Sequence, residues 1–137
     1  MTKKTVMIVD DDKEFLSELK ETLDSSGYDM IAVNDGFTAL DIASRVIPDV
    51  ILVDLKMPKK TGFQLADELR RLSGISDIPI IAMTGFFKDG YGPLMNICGI
   101  KRCLKKPFHP LDVITEIEDA LIEKQAKLSE KEKLWQI

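Results

Sequence analysis

Four short stretches of this chain are apolar almost without a break: Thr5–Val9, Val50–Val53, Ile78–Met83 and a weaker Tyr28–Val33. Continuous aliphatic and β-branched runs of this length suit parallel strands that are covered on both faces. Between them the apolar residues switch to helical spacing. Phe15, Leu19 and Leu23 form one stripe, Leu40, Ala43 and Ile47 a second, Leu65, Leu69 and Leu72 a third, and Ile114, Ile117 and Leu121 a fourth. Ser25-Ser26-Gly27 and Asn34-Asp35-Gly36 punctuate the joins, and Pro110 suits the first turn of the last helix. The alternation predicts an α/β fold, a parallel sheet with helices on both sides.

Two elements are weaker. A fifth strand is expected at Lys101–Lys105. A fourth helix should fall between Thr84 and Lys101, a stretch that holds Gly85, Gly90, Gly92 and Pro93. Inside a helix a glycine costs about 1 kcal/mol and a proline about 3 kcal/mol. The expectation is a short helix starting near Pro93, preceded by a long, mobile loop.

The 137 residues suit one domain, and 45% hydrophobic with 31% charged residues is an ordinary globular balance. A net charge of −4 argues against direct nucleic-acid binding, since a phosphate backbone would be repelled. No window has the length of a membrane span, and the opening residues do not form a signal peptide, so a cytoplasmic location is expected. Cys98 and Cys103 make no disulfide framework and, with the single histidine His109, only a poor zinc set. Both are expected as buried free thiols, and His109, just before Pro110, as a loop or cap residue.

Ligands of open parallel sheets sit beyond the carboxyl ends of the strands. There the sequence places Asp10, Asp11 and Asp12 after the first strand, Asp54 at the end of the third, Thr84 at the end of the fourth and Lys106 after the fifth. Carboxylates gathered this closely repel one another unless a cation lies among them, and oxygen ligands of this kind suit Mg2+. Aspartyl phosphates are a known covalent intermediate, and phosphoryl transfer asks mainly for positioning and for neutralisation of three equatorial oxygens. Asp12 doubles as the cap of the first helix. No Ser/His/Asp triad, P-loop or dinucleotide fingerprint is present.

The runs VMIVDDD at 6–12, DVILVDLKMPKKTG at 49–62, IIAMTG at 80–85 and KKPF at 105–108 resemble the signature blocks of bacterial response-regulator receiver domains, in the same order, over roughly residues 4–122. The resemblance implies a flavodoxin-like three-layer fold with strand order 2-1-3-4-5. It also implies a phosphorelay switch, with Asp54 as the phosphorylated residue and Thr84 and Lys106 completing the set. Mg2+ would be bound by Asp11, Asp54 and the backbone carbonyl of Lys56, with Asp10 acting largely through water, and the Lys106–Pro107 bond would be cis. The implied partners are a histidine kinase or histidine phosphotransfer protein and a downstream output domain or protein. Such a module is not a conventional enzyme.

Two departures from that pattern bear on mechanism. The family usually places an aromatic residue three positions before the lysine, where this chain has Cys103. With the fourth helix interrupted by glycine, signalling is expected to run through the 85–99 segment. The positions two after Asp54 and two after Thr84, which flank the path of hydrolytic water in the family, are Lys56 and Phe86, and their bulk predicts slow self-dephosphorylation.

Two other functions compete. One is an interaction module that keeps the receiver fold and does not depend on phosphorylation. The complete Asp, Thr and Lys set argues against it. The other is a dehalogenase-type hydrolase with an aspartate nucleophile, whose D-x-D motif coincides here only with Asp10 and Asp12 inside an Asp-Asp-Asp run. The domain is expected to span residues 1–122, with 123–137 as a helical extension or linker. Leu121, Leu128 and Trp135 stand seven residues apart there, a spacing compatible with a homodimeric coiled coil through the last helix.

Overall fold

The structure is a computed structural model that describes residues 2–136. Along the chain β1 (Thr5–Val9), α1 (Lys13–Ser25), β2 (Asp29–Val33), α2 (Gly36–Val46) and β3 (Val50–Asp54) are followed by α3 (Gly62–Arg71), β4 (Ile80–Thr84), α4 (Tyr91–Ile97), β5 (Arg102–Lys105) and α5 (Pro110–Trp135). The five strands form one parallel sheet in the order β2-β1-β3-β4-β5. This is the flavodoxin-like arrangement.

Successive strand residues point to opposite faces, so one apolar run feeds two cores. Val6 and Ile8 of β1, with Leu52 and Ile81, meet Leu16, Leu19 and Leu23 of α1 and Val113 and Ile117 of α5. Met7 and Val9, with Ile51 and Val53, meet Ala39 and Ala43 of α2, Leu65 and Leu69 of α3, and Met95 of α4. All five residues of β3 and of β4 are buried, whereas the edge strands β2 and β5 are partly exposed.

The helix starts follow side-chain chemistry. Asp12 accepts from the N–H groups of Glu14 and Phe15 at 3.1 and 3.2 Å, which caps α1. Asp35 accepts from Thr38 N at 2.7 Å, and Thr61 and Gln64 form a reciprocal capping box on α3. His109 caps α5 through Nδ1, which accepts from Leu111 N at 3.1 Å, and Pro110 follows it.

Several expectations need correction. Ile47 does not extend the α2 stripe; it is the C-cap, in a left-handed conformation with φ 53°, and is exposed. The α4 helix begins at Tyr91, two residues before Pro93. Proline then sits in the first turn, where its missing N–H would have had no intrahelical acceptor. β4 begins at Ile80, because Ile78 N–H is engaged in a turn with Ile75 O at 3.1 Å. Cys98 is buried, but Cys103, on edge strand β5, is only half-buried. The expectation of a helical extension after residue 122 is not among these, since α5 continues as helix to Trp135.

Candidate functional site

Parallel register brings four strand ends to one rim of the sheet. Val9 pairs with Val53, Asp54 with Met83, and Thr84 with Lys105. Asp10, Asp54, Thr84 and Lys106 therefore converge although they are up to 96 residues apart in sequence.

Asp10 is fully buried, and both its oxygens are used. Oδ1 accepts from Asp12 N at 3.0 Å and Oδ2 from Lys106 Nζ at 2.5 Å. Lys106 Nζ lies 3.8 Å from Asp54 Oδ2, and its backbone N–H donates to Thr84 O at 2.7 Å. Asp54 is buried and accepts from Lys56 N at 3.1 Å. Asp11 is exposed at the lip of the site.

One carboxylate oxygen from each of Asp10, Asp11 and Asp54 lies within 4.8 Å of the others. Burial raises the Asp54 pKa above the ordinary aspartate value, and the Asp10 and Asp11 carboxylates add to the rise; Lys106 and the Lys56 N–H act in the opposite direction. Three hard oxygen donors in mutual repulsion, one open to solvent, fit a divalent cation that retains several waters. Lys56 lends its N–H to Asp54, and its side chain is exposed.

Thr84 is buried at the end of β4. Its Oγ1 donates to Phe86 O at 3.0 Å and accepts from Phe86 N at 3.2 Å, so the hydroxyl is tied to the start of the 85–90 loop. The start of α3 packs closely against the end of β3. A Cβ on Gly62 would run into the Asp54 carbonyl oxygen, with Leu55 Cα at 2.8 Å and Val53 Cγ1 at 2.9 Å. Only glycine lets α3 begin this close to β3. The Lys106–Pro107 bond is cis.

Two groups near the site are not legible as functional from spacing. Phe15 reads as one more member of the α1 stripe, yet its ring is half-buried beneath Lys106, 4.3 Å from Nζ to the centroid, and meets Phe108 edge-on at 5.6 Å. Beyond the 85–90 loop, Tyr91 contacts Phe63 at 5.1 Å and Phe87 at 5.7 Å, both edge-to-face. Tyr91, Phe63 and Cys103 all pack against the core beneath α2, α3 and α4. An aromatic cluster therefore stands on the β5 side of the fold even though the strand itself carries a thiol.

Among the described residues no helix is long and apolar enough to cross a membrane. The family described as "Response regulator receiver domain" matches residues 6–118. The polar-differentiation response regulator DivK of Brucella anthropi is 32% identical over 104 residues, covering 76% of this chain and 85% of the relative. Among solved structures, the chemotaxis protein CheY4 of Vibrio cholerae superposes with a TM-score of 0.84 at 28% identity, covering 88% of this chain and 100% of that one. The receiver domain of the sensor histidine kinase PA1611 from Pseudomonas aeruginosa, with magnesium coordinated in its active-site cleft, gives 0.80 at 26% identity, covering 88% and 98%.

Proposed function

The chain belongs to the response regulator receiver domain family, the receiver module of two-component signalling, and on that premise we propose that Asp54 accepts a phosphoryl group. The donor would be a phosphohistidine of a histidine kinase or histidine phosphotransfer protein. The observation that carries this reading is the Asp54 carboxylate, buried, within 4.8 Å of Asp10 and Asp11 and 3.8 Å from the Lys106 ammonium.

The residues divide the work as follows. Asp54 attacks phosphorus through a carboxylate oxygen while the phosphorus–nitrogen bond to the donor breaks. Asp11, Asp54 and the Lys56 carbonyl would hold Mg2+, with Asp10 orienting its water. When bound, Mg2+ neutralises charge on one phosphoryl oxygen. Lys106 leaves Asp10 Oδ2 and donates to a second oxygen. Thr84 Oγ1 turns from Phe86 O to donate to the third.

That last movement links chemistry to shape. The Thr84–Phe86 hydrogen bond has to break, which frees the 85–90 loop and, through Phe87 and Tyr91, acts on α4. This route does not need an aromatic residue at position 103. The reading supports a switch that changes the surface offered to a downstream protein or output domain, in a cytoplasmic setting, with residues 1–122 as the receiver unit and 123–137 as its extension. Self-dephosphorylation would be slow. A homodimer through α5 is compatible with the exposed Ile122, Leu128 and Trp135.

The test is intact mass after incubation with Mg2+ and acetyl phosphate. A gain of one phosphoryl group, lost in Asp54→Asn and without Mg2+, is the expected result. No gain with either acetyl phosphate or a phosphorylated phosphotransfer protein would overturn the reading.

A further inference from the structure

At the amino ends of β4 and β5, the opposite end of the sheet from Asp54, a cleft of about 330 Å³ opens between segment 76–80 and the outer turns of α5. It is lined by six cationic side chains, Arg70, Lys101, Arg102, Lys124, Lys127 and Lys131, against two carboxylates, Asp77 and Glu123. The chain as a whole carries a net charge of −4, so this is a local reversal of sign.

Half of those cations are already engaged. Arg70 donates to the carbonyls of Ser76, Ile78 and Gly99 at 2.6, 2.8 and 2.9 Å. Arg102 pairs with Glu116 at 3.2 Å and Glu123 at 2.8 Å, and Lys127 reaches Glu123 at 3.3 Å. The other three, Lys101, Lys124 and Lys131, form no ion pair among the described residues.

Lys101 and Lys127 line the same cleft, and their proximity lowers the Lys101 pKa while raising that of Lys127. The cleft also has an apolar side, formed by Pro79, Leu128 and the edges of Ile78 and Ala120. Its volume falls within the roughly 300–1,000 Å³ of small-molecule sites, which combine apolar lining with a few convergent polar groups. The wall that supplies Lys124, Lys127, Leu128 and Lys131 lies beyond residue 118, where the family match ends. The other wall, from Arg70, residues 76–80, Gly99, Lys101 and Arg102, lies within the matched region.

We propose that this cleft binds a nucleotide-class polyanion, its phosphates between Lys101, Lys127 and Lys131 and its flat base against Pro79 and Leu128. The ligand would bridge β5 to the outer half of α5 and hold that helix in place. The site stands independently of chemistry at Asp54.

The probe is ATP, titrated calorimetrically into the metal-free Asp54→Asn protein so that the phosphoacceptor site takes no part. Tripolyphosphate and adenosine are run beside it. The expected result is saturable binding of one ATP per chain, weaker binding of tripolyphosphate and none of adenosine. Amide NMR shifts should change at Gly99, Lys101 and 124–131 and not at Asp10 or residue 54. The double variant Lys101→Gln/Lys131→Gln should lose about tenfold or more in affinity. Both lysines are exposed, so its thermal midpoint should stay close to that of the parent. Absence of saturable ATP binding below millimolar concentration would overturn the proposal. So would equal binding of tripolyphosphate, shifts centred on the acidic cluster, or unchanged affinity in the folded double variant.

Discussion

The ammonium of Lys106 rests on the face of Phe15, 4.3 Å from the ring centroid, while reaching Asp10 at 2.5 Å. The aromatic face and the carboxylate together fix where the lysine waits. A cation over an aromatic face gains about 0.5–2 kcal/mol depending on exposure. The Phe15→Leu variant, which keeps the apolar volume and removes the π-face, is expected to accept phosphoryl from acetyl phosphate roughly 3–10-fold more slowly. Its thermal midpoint should change little. An unchanged rate would mean that Asp10 alone positions the lysine.

Asp54 makes a stability prediction with a definite sign. Its pKa is raised in the folded protein, chiefly by burial. The stability tied to its protonated form is therefore complete below the ordinary aspartate value of about 3.9 and is lost as pH rises through the higher folded value. At neutral pH the metal-free protein carries a buried charge it would be more stable without. Asp54→Asn should raise the thermal midpoint of the metal-free protein at pH 7, and the gain should shrink toward pH 4. Added Mg2+ should stabilise wild type much more than the variant. A lower midpoint for the variant at pH 7 would contradict the sign.

Gly62 is constrained by contact with the backbone of β3. Gly62→Ala is expected to cost about 3 kcal/mol or more, since the new Cβ meets backbone that cannot rotate away. Urea unfolding measures this directly. A loss below about 1 kcal/mol would show that α3 can shift outward without penalty.

Lys60 is a buried cation in the loop that joins Asp54 to α3. It is 8% exposed, pairs with Glu68 at 2.6 Å, and lies 4.4 Å from the centroid of Phe37. The pair ties the loop after β3 to α3. A double-mutant cycle with Lys60→Met and Glu68→Gln should give a coupling of about 1–2 kcal/mol, with Glu68→Gln alone the more damaging change because it leaves a buried ammonium unpaired. Additive effects would place the lysine's value in its packing against Phe37 and Gly36.

The acyl phosphate, once formed, should be long-lived. Phe86 and Lys56 are both exposed beside the strand ends that carry Thr84 and Asp54. The double variant Phe86→Ala/Lys56→Asn is expected to shorten the phosphoryl lifetime several-fold, followed by loss of the added mass after removal of the donor. Equal lifetimes would remove shielding as the explanation.

Much of the architecture was visible in the apolar runs. A fully buried parallel strand has no polar face to disguise it, so β1, β3 and β4 stood out, and residues following them could be assigned to one rim of the sheet. The caps Asp12 and His109 were legible because capping is local. What the sequence left hidden depends on contact across the fold. Lys60 is buried by Phe37 and Glu68, neither of which announces a partner. Arg70 is fixed by three carbonyls up to 29 residues away. Ile47 fitted a helical spacing but ends α2 in a left-handed turn. Phe15 keeps its place in the stripe and at the same time supports Lys106, and no periodicity can separate those two roles.

The unbroken α5 has a mechanical consequence. Twenty-six residues at about 1.5 Å each make a rod roughly 39 Å long, pinned near its start by Val113 and Ile117 and clamped at mid-length by the Arg102–Glu123 pair. A tilt of about 5° about the Pro110 end displaces the far tip by roughly 3 Å over that length. A small movement of β5, carried to the shaft through Arg102 and its partners Glu116 and Glu123, would therefore arrive amplified at Trp135.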